Sequence, residues 1–324
     1  MRIDSNLKWA LVLSGGGAKG IAHVGVLKAL SEMGFPEPSL VVGTSMGAIV
    51  GGLYACGLTA ADLCRFIRDE FDITNYLDSF VFKLAGPVGR IFQAGQFLGA
   101  LASGAGIDSG NQVLALMEEL TGGKTFDQTR IPFRCNAVDL LSGREVVLRS
   151  GSVARAIRAS MSFPVFFEPL REGGMCLVDG GLVDNMPIHI AKTEGIKRIM
   201  AVDVGNFRII PGSDFTTGYK ILYRSLEVVL HQMNRLNRDN RPDLLVHAAG
   251  KATPFAFNKK NDLIALGERV IRENEAAVKA FFGKGFGARV ARRRYTECGA
   301  RPGEAGLPEK SHGEVSYEQT AQEH

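Results

Sequence analysis

Twice near the start of this 324-residue chain an apolar, strand-like run ends at glycine and gives way to a helix-like period, and few folds can use that pattern. The run from Trp9 to Ser14 stops at Gly15, Gly16 and Gly17. A helix follows, with Ile21, Val24, Leu27 and Leu30 on one face and Gly34 placed as its C-terminal cap. The second run, Leu40-Val41-Val42, enters Gly43-Thr44-Ser45-Met46-Gly47, and an apolar helix from about Ala48 leaves it. Strand, glycine turn and helix in that order make parallel βαβ units. Phe133 to Leu140 and Glu145 to Leu148 predict a hairpin around Ser142-Gly143. Further strands are expected at Met175 to Val178, Arg198 to Val202 and Leu244 to Val246, with helices near Asn111 to Leu120, Tyr219 to Asn234 and after Asp262. The reading is α/β with a mostly parallel central sheet, in one domain over residues 7–285.

Composition narrows the function classes. A net charge of +4, from 38 basic against 34 acidic residues, gives no reason to expect nucleic acid as a partner. No run reaches the roughly 18 uninterrupted apolar residues of a spanning helix, and no apolar leader precedes Trp9, so neither membrane spanning nor export is expected. Cys56, Cys64, Cys135, Cys176 and Cys298 are odd in number and scattered, which predicts reduced thiols in a cytoplasmic protein and no metal site. Residues 79–106 interleave Phe80, Phe82, Ile91, Phe92 and Phe97 with glycines, the composition of a cap or lid that packs on the core, lines an apolar groove or rests on a bilayer surface. Residues 286–324 are expected to form a disordered polar tail. Its opening arginines, Arg289, Arg292, Arg293 and Arg294, read as a solvated helix end or as attraction to an anionic inner membrane surface.

Three motifs carry chemistry. Gly43-x-Ser45-x-Gly47 is a nucleophile-elbow pattern, in which a tight strand-to-helix turn pushes the serine toward substrate. In a chain with 39 glycines the pattern alone is weak, and the strand before it and helix after it supply the context. Gly15 to Gly20 matches the dinucleotide fingerprint G-x-G-x-x-G, but the next strand ends in Gly43-Thr44-Ser45 where that fold needs an acidic residue for the ribose. A phosphate-binding loop fails as well, since no Gly-Lys-Ser/Thr follows. What remains is a nest of backbone N–H groups beside a nucleophilic serine, as an oxyanion hole requires. Asp179, followed by Gly180 and Gly181, emerges at a strand end; Asp139 and Asp203 compete with it but lack the double glycine.

Taken in order, Gly15-Gly16-Gly17-Ala18-Lys19-Gly20, Gly43-Thr44-Ser45-Met46-Gly47 and Asp179-Gly180-Gly181 resemble the three signatures of the patatin-like phospholipase family, in its bacterial type, over about residues 9 to 250. Ala159-Ser160 with Pro164, and Asp184-Asn185-Met186-Pro187, are similar to further segments of that family. The resemblance implies a three-layer α/β/α sandwich and a serine–aspartate dyad without histidine, made of Ser45 and Asp179. It implies an oxyanion hole from the amides of Gly15, Gly16, Gly17 and Ala18, and Lys19 matches the family's basic position in that loop; its bland reading is a lysine in solvent at a helix start. The implied reaction is hydrolysis of fatty acyl esters of phospholipids or lysophospholipids through an acyl-enzyme, with no metal or organic cofactor. Two rivals stand beside it. One is a serine–histidine–acid triad using Asp139 or Asp179 with His189, His231 or His247, His23 being read as a helix-surface or core histidine. The other is a non-catalytic regulatory protein on the same fold.

Overall fold

The structure, a computed structural model, describes residues 2–71, 108–164, 166–205, 207, 218–236, 241–254 and 256–299. The segment expected to act as a cap, 79–106, lies outside the described residues, as does 300–324.

The first run becomes β1 (Ala10–Leu13), a 3-10 turn over Gly17–Ile21 and α1 (Ala22–Glu32). Gly34 takes φ 71 just beyond that helix, the left-handed conformation that ends it. The second run becomes β2 (Leu40–Gly43) and α2 (Met46–Cys56), and α3 (Ala60–Arg65) follows behind a Thr59–Asp62 capping box. Then come α4 (Asn111–Thr121), the hairpin β3 (Phe133–Asp139) and β4 (Arg144–Leu148), and α5 (Val153–Ser160). The chain continues through β5 (Leu170–Glu172), β6 (Met175–Asp179), α6 (Ile188–Thr193), β7 (Ile199–Asp203), α7 (Gly218–Leu236), β8 (Leu244–His247), α8 (Lys260–Glu273) and α9 (Glu275–Phe282). It closes with α10 (Phe286–Arg294) and β9 (Glu297–Cys298).

The sheet runs β5-β6-β3-β2-β1-β7-β8-β9, with β4 paired to β3. From β3 to β9 every pair along that order is parallel, while β4, β5 and β6 join antiparallel. The two-residue period of the strands divides their side chains between two helical layers. Leu11, Leu13, Val41, Met200 and Val202 enter the large core under α1, α2 and α8. Ala10, Val12, Leu40, Val42 and Ala201 enter a second core closed by Ile188, Ile190 and Ala191 of α6. The result is the expected three-layer α/β/α arrangement. Strand order reverses between β1 and β7, and the carboxyl ends of the strands at such a switch point are where folds of this kind gather their sites.

The limits of the folded body differ from the sequence expectation at both ends. Ile3 bridges Gly283, and the Asp4 amide donates to the Phe282 carbonyl at 2.9 Å, so residues 2–4 are pinned to the end of α9. Residues 286–299, expected as the start of a disordered tail, form α10 and the edge strand β9, which pairs with β8 through Val246 and Cys298. Arg292, Arg293 and Arg294 of the arginine run lie in the last turn of α10, where positive charge faces the negative end of the helix dipole. Arg292 there donates to the carbonyls of Ala280 and Gly283 at 3.1 and 2.8 Å. Among the described residues no helix is long and apolar enough to cross a membrane. All five cysteines are buried and free.

Candidate active site

Ser45 joins β2 to α2 at φ 54 and ψ −120, and it is the one non-glycine residue with positive φ among the described residues. Such backbone costs about 1–3 kcal/mol and persists only where its surroundings hold it. The flanking glycines are required by contact rather than by their own dihedrals. A Cβ on Gly43 would collide with the Gly47 carbonyl, and one on Gly47 with the Leu13 carbonyl. The elbow is therefore folded against its own helix and against the end of β1. The Ser45 N–H donates to Ser160 Oγ at 3.0 Å. Beside it Thr44 donates to Asn136 Oδ1 at 2.7 Å, and Asn136 Nδ2 donates to the Asp184 carbonyl and to Glu145 Oε1, each at 2.9 Å.

Asp179 ends β6 and is 2% exposed. Its carboxylate accepts a hydrogen bond from the Gly181 N–H at 2.8 Å and lies beside the Ser45 side chain. Burial pushes its pKa up to about 6, against the lowering by the Ser45 side chain and the Gly181 bond. The double glycine after it has a steric cause too. A Cβ on Gly180 would meet the Asn136 carbonyl at 2.6 Å, and one on Gly181 would meet Asn185 Oδ1 at 2.9 Å.

The glycine loop at the end of β1 lies against the serine, since a Cβ on Gly15 would sit 3.1 Å from Ser45 Cβ. Of the four amides expected to face an oxyanion, two are already committed. The Gly15 N–H donates to the Asn185 carbonyl at 3.2 Å, and the Ala18 N–H to the Pro254 carbonyl at 2.8 Å. The N–H groups of Gly16 and Gly17 have no acceptor among the described residues. Gly17 adopts φ 58, and Gly16 leaves no room for a side chain because Val204 would stand 2.6 Å from its Cβ. Lys19 is 7% exposed, which rules out the reading of a lysine in solvent. Gly20 packs on the start of α2, where a Cβ would lie 2.6 Å from Met46 Cβ. His23 is a core residue. Its Nε2 donates to the Ser14 carbonyl at 2.8 Å, and burial lowers its pKa to about 4, so the ring is neutral.

The triad candidates are engaged elsewhere. His189 sits between Asp184 at 3.2 Å and Glu145 at 3.0 Å, and its bond to Asp184, then that to Glu145, raises its pKa to about 9. His247 lies beside Asp203 and Glu297, and His231 stacks on Phe207 with ring centroids 4.3 Å apart. Asp139 ties the hairpin turn, accepting from the Cys176 amide at 2.9 Å and the Ser142 hydroxyl at 2.7 Å, and Asp203 accepts from the Gly205 amide. Among the described residues no histidine hydrogen-bonds Ser45, and no group of three or more His, Cys, Asp or Glu side chains is arranged to hold a metal ion.

Sequence reasoning did not single out Ser160, Asn136 or Asn185. Ser160 and Asn185 lay within segments already noticed for their resemblance, so a signal was there. Asn136 sits in mid-strand with nothing local to mark it.

A family model described as patatin-like phospholipase matches residues 11–192. The lysophospholipase nte1 of Emericella nidulans is 36% identical over 196 residues, which are 60% of this chain and 12% of that protein. The lysophospholipase NTE1 of Saccharomyces cerevisiae is 33% identical over 210 residues, 63% of this chain and 11% of that protein. The chain thus spans about an eighth of the length of these relatives. Among solved structures, VipD from Legionella pneumophila is similar with a TM-score of 0.48 at 17% identity, over 84% of this chain and 67% of that one.

Proposed function

The chain belongs to the patatin-like phospholipase family, and we propose that it is a serine acyl hydrolase in which Ser45 is the nucleophile and Asp179 its base. The observation that carries this reading is the strained Ser45 placed beside the buried Asp179 carboxylate, whose pKa burial raises to about 6. A carboxylate at its ordinary pKa near 3.9 is a weak base for a serine hydroxyl; burial strengthens it while leaving it ionised at neutral pH.

In this mechanism Ser45 Oγ attacks the acyl carbonyl carbon as its proton passes to Asp179. The carbonyl π pair moves onto oxygen, and that oxyanion accepts from the free amides of Gly16 and Gly17, a pair of donors worth about 3 kcal/mol each. The positive end of α2 lies at the same point. Collapse breaks the ester bond, the alcohol leaves with the proton held by Asp179, and the acyl group stays on Ser45. Water, deprotonated by Asp179, then attacks the acyl-enzyme and releases the fatty acid.

Fatty acyl esters of phospholipids or lysophospholipids are the substrates we propose, on the strength of the family and of the relatives' names. Free, buried cysteines fit a reducing, cytoplasmic setting, and a lipid substrate calls for peripheral contact with a membrane surface. The test is a panel of phosphatidylcholine, lysophosphatidylcholine and a p-nitrophenyl ester, run with wild type, Ser45→Ala and Asp179→Asn, beside fluorophosphonate labelling. Both variants should lose at least about a thousandfold in kcat/KM, with Ser45 the labelled residue. A folded wild-type protein that neither labels nor turns over any of the esters sinks the reading in favour of a regulatory protein, and a near-normal rate for Asp179→Asn sinks the dyad.

A further inference from the structure

Resting on Ser45 as nucleophile, we propose that the turn Ser160–Ser162, where α5 ends, is the positioning element that fixes the serine against its base, with the Ser160 hydroxyl as the working group. Both partners of the dyad hang from this one turn by their backbones. The Ser45 N–H donates to Ser160 Oγ at 3.0 Å, and the Asp179 N–H donates to the Ser162 carbonyl at 3.0 Å.

The bond to Ser45 matters because of where that residue sits. At φ 54 the chain is outside the conformations a serine ordinarily takes, and its N–H, preceding the first turn of α2, has no carbonyl within the helix to accept it. Ser160 is fully buried and supplies that acceptor. Remove the hydroxyl and the amide is left without its partner, while the backbone gains a reason to relax toward ordinary φ. Such a relaxation swings the Ser45 hydroxyl away from Asp179 without touching either side chain.

The turn is itself held stiffly, as a positioning element must be. The Ser162 N–H donates to the Ala159 carbonyl at 3.1 Å, and the Ser162 hydroxyl donates to the Arg158 carbonyl at 2.7 Å. The Arg158 guanidinium donates to Ser162 Oγ and to the carbonyls of Ser109 and Glu168, at 2.7 and 2.9 Å for the last two. This buried arginine thereby fastens the end of α5 to the segments before α4 and before β5. Ser160 does not face substrate in this scheme; it acts through the backbone of Ser45.

The full-length chain with Ser160→Ala, Ser160→Cys and Ser160→Thr tests the proposal. On a soluble p-nitrophenyl ester, Ser160→Ala should lose about tenfold to a hundredfold in kcat with KM within about twofold, the signature of misplacement rather than weaker binding. Ser160→Cys, close in shape but with a poor acceptor sulfur, should follow it, and Ser160→Thr, which keeps the hydroxyl, should recover most of the rate. Amide hydrogen exchange at Ser45, an activity-independent readout, should quicken at least about tenfold in the alanine variant while Leu11 and Val12 in β1 stay unchanged. A folded Ser160→Ala with kcat within about threefold of wild type, or an unaltered Ser45 exchange rate, overturns the proposal. If the alanine variant does not fold, Ser160→Cys decides by the same two measurements. A wild-type protein inert on every ester fails the functional reading instead, and the exchange result then judges the turn alone.

Discussion

At the scale of single residues, Asp179 joins reactivity to instability. Its carboxyl titrates near 6 in the folded chain and near 3.8 in the unfolded one. Between those values the folded protein keeps a proton that the unfolded chain has released, so stability falls as pH rises through that window. Above pH 6 the penalty is complete, at about 3 kcal/mol for a shift of this size. The proposed catalysis needs the other protonation state: with Asp179 as the base it must be ionised, so kcat/KM should climb with pH through about 6 and level off above it. Asp179→Asn therefore has two expected outcomes. Turnover disappears, and chemical denaturation at pH 8 shows a protein more stable than wild type, with the difference vanishing near pH 4. Equal stability of the two proteins at pH 8 would contradict a net cost of burying that charge. The residues of this site differ in how visible they are from sequence. Ser45 and Asp179 announce themselves because the glycines beside them answer local crowding: Gly43 against Gly47, Gly180 against Asn136. Asn136 and Ser160 are ordinary in their own surroundings and become partners only through contacts far along the chain. The four amides of the glycine loop cannot be told apart from sequence for the same reason. Nothing near Gly15 or Ala18 signals that Asn185 and Pro254 take up their amides.

At the scale of elements, α1 and α8 pack backbone to backbone. A Cβ on Gly25 would collide with the Ile264 carbonyl, and a Cβ on Gly267 with the Ala22 carbonyl, so each helix presents its glycine to the other's main chain. Gly25→Ala and Gly267→Ala gain helix propensity but force the pair apart, and overpacking at such a contact costs about 1–3 kcal/mol. Each should lower the melting temperature, and the double variant should lose less than the sum, because both relieve their clash by the same separation of the helices. Full additivity in thermal melts would argue that the two contacts yield independently. Elements of this kind are largely readable beforehand, since β1 and β2, buried on both faces, are unbroken apolar runs, and α1, buried on one side, keeps the 3.6 period. Pairing partners are not. That β6 would run antiparallel to β3, putting Asp179 within reach of the serine after β2, depends on the whole sheet.

At the scale of the whole molecule, the body is closed by its two ends together. Trp9 and Phe35 enclose Phe281 and Phe282, with Trp9 edge-on to both at centroid distances of 5.7 and 5.1 Å. Beyond them α10 leads the chain to β9, which covers the edge of β8, and Cys298 is buried there. The polar composition after residue 285 hid this, because an edge strand needs little apolar sequence of its own when it borrows a finished sheet. A chain ended at Lys284 should melt more than about 5 °C below one ended at Gly299 and aggregate more readily through the exposed β8 edge. Equal melting would mean that α10 and β9 add nothing to the fold.

The reach of the bonds around Ser45 has one more consequence. Its amide meets a hydroxyl 115 residues along the chain, Thr44 an asparagine 92 residues along, and the Gly15 carbonyl a side-chain amide 170 residues along. Contacts of that range close only after the sheet has assembled from β6 across to β7. A chain still being synthesised, or one opened by stress, holds the serine in relaxed backbone with no aspartate beside it. On the proposed mechanism the serine's reactivity is thereby licensed by completion of the fold, and an unfinished copy has no assembled dyad.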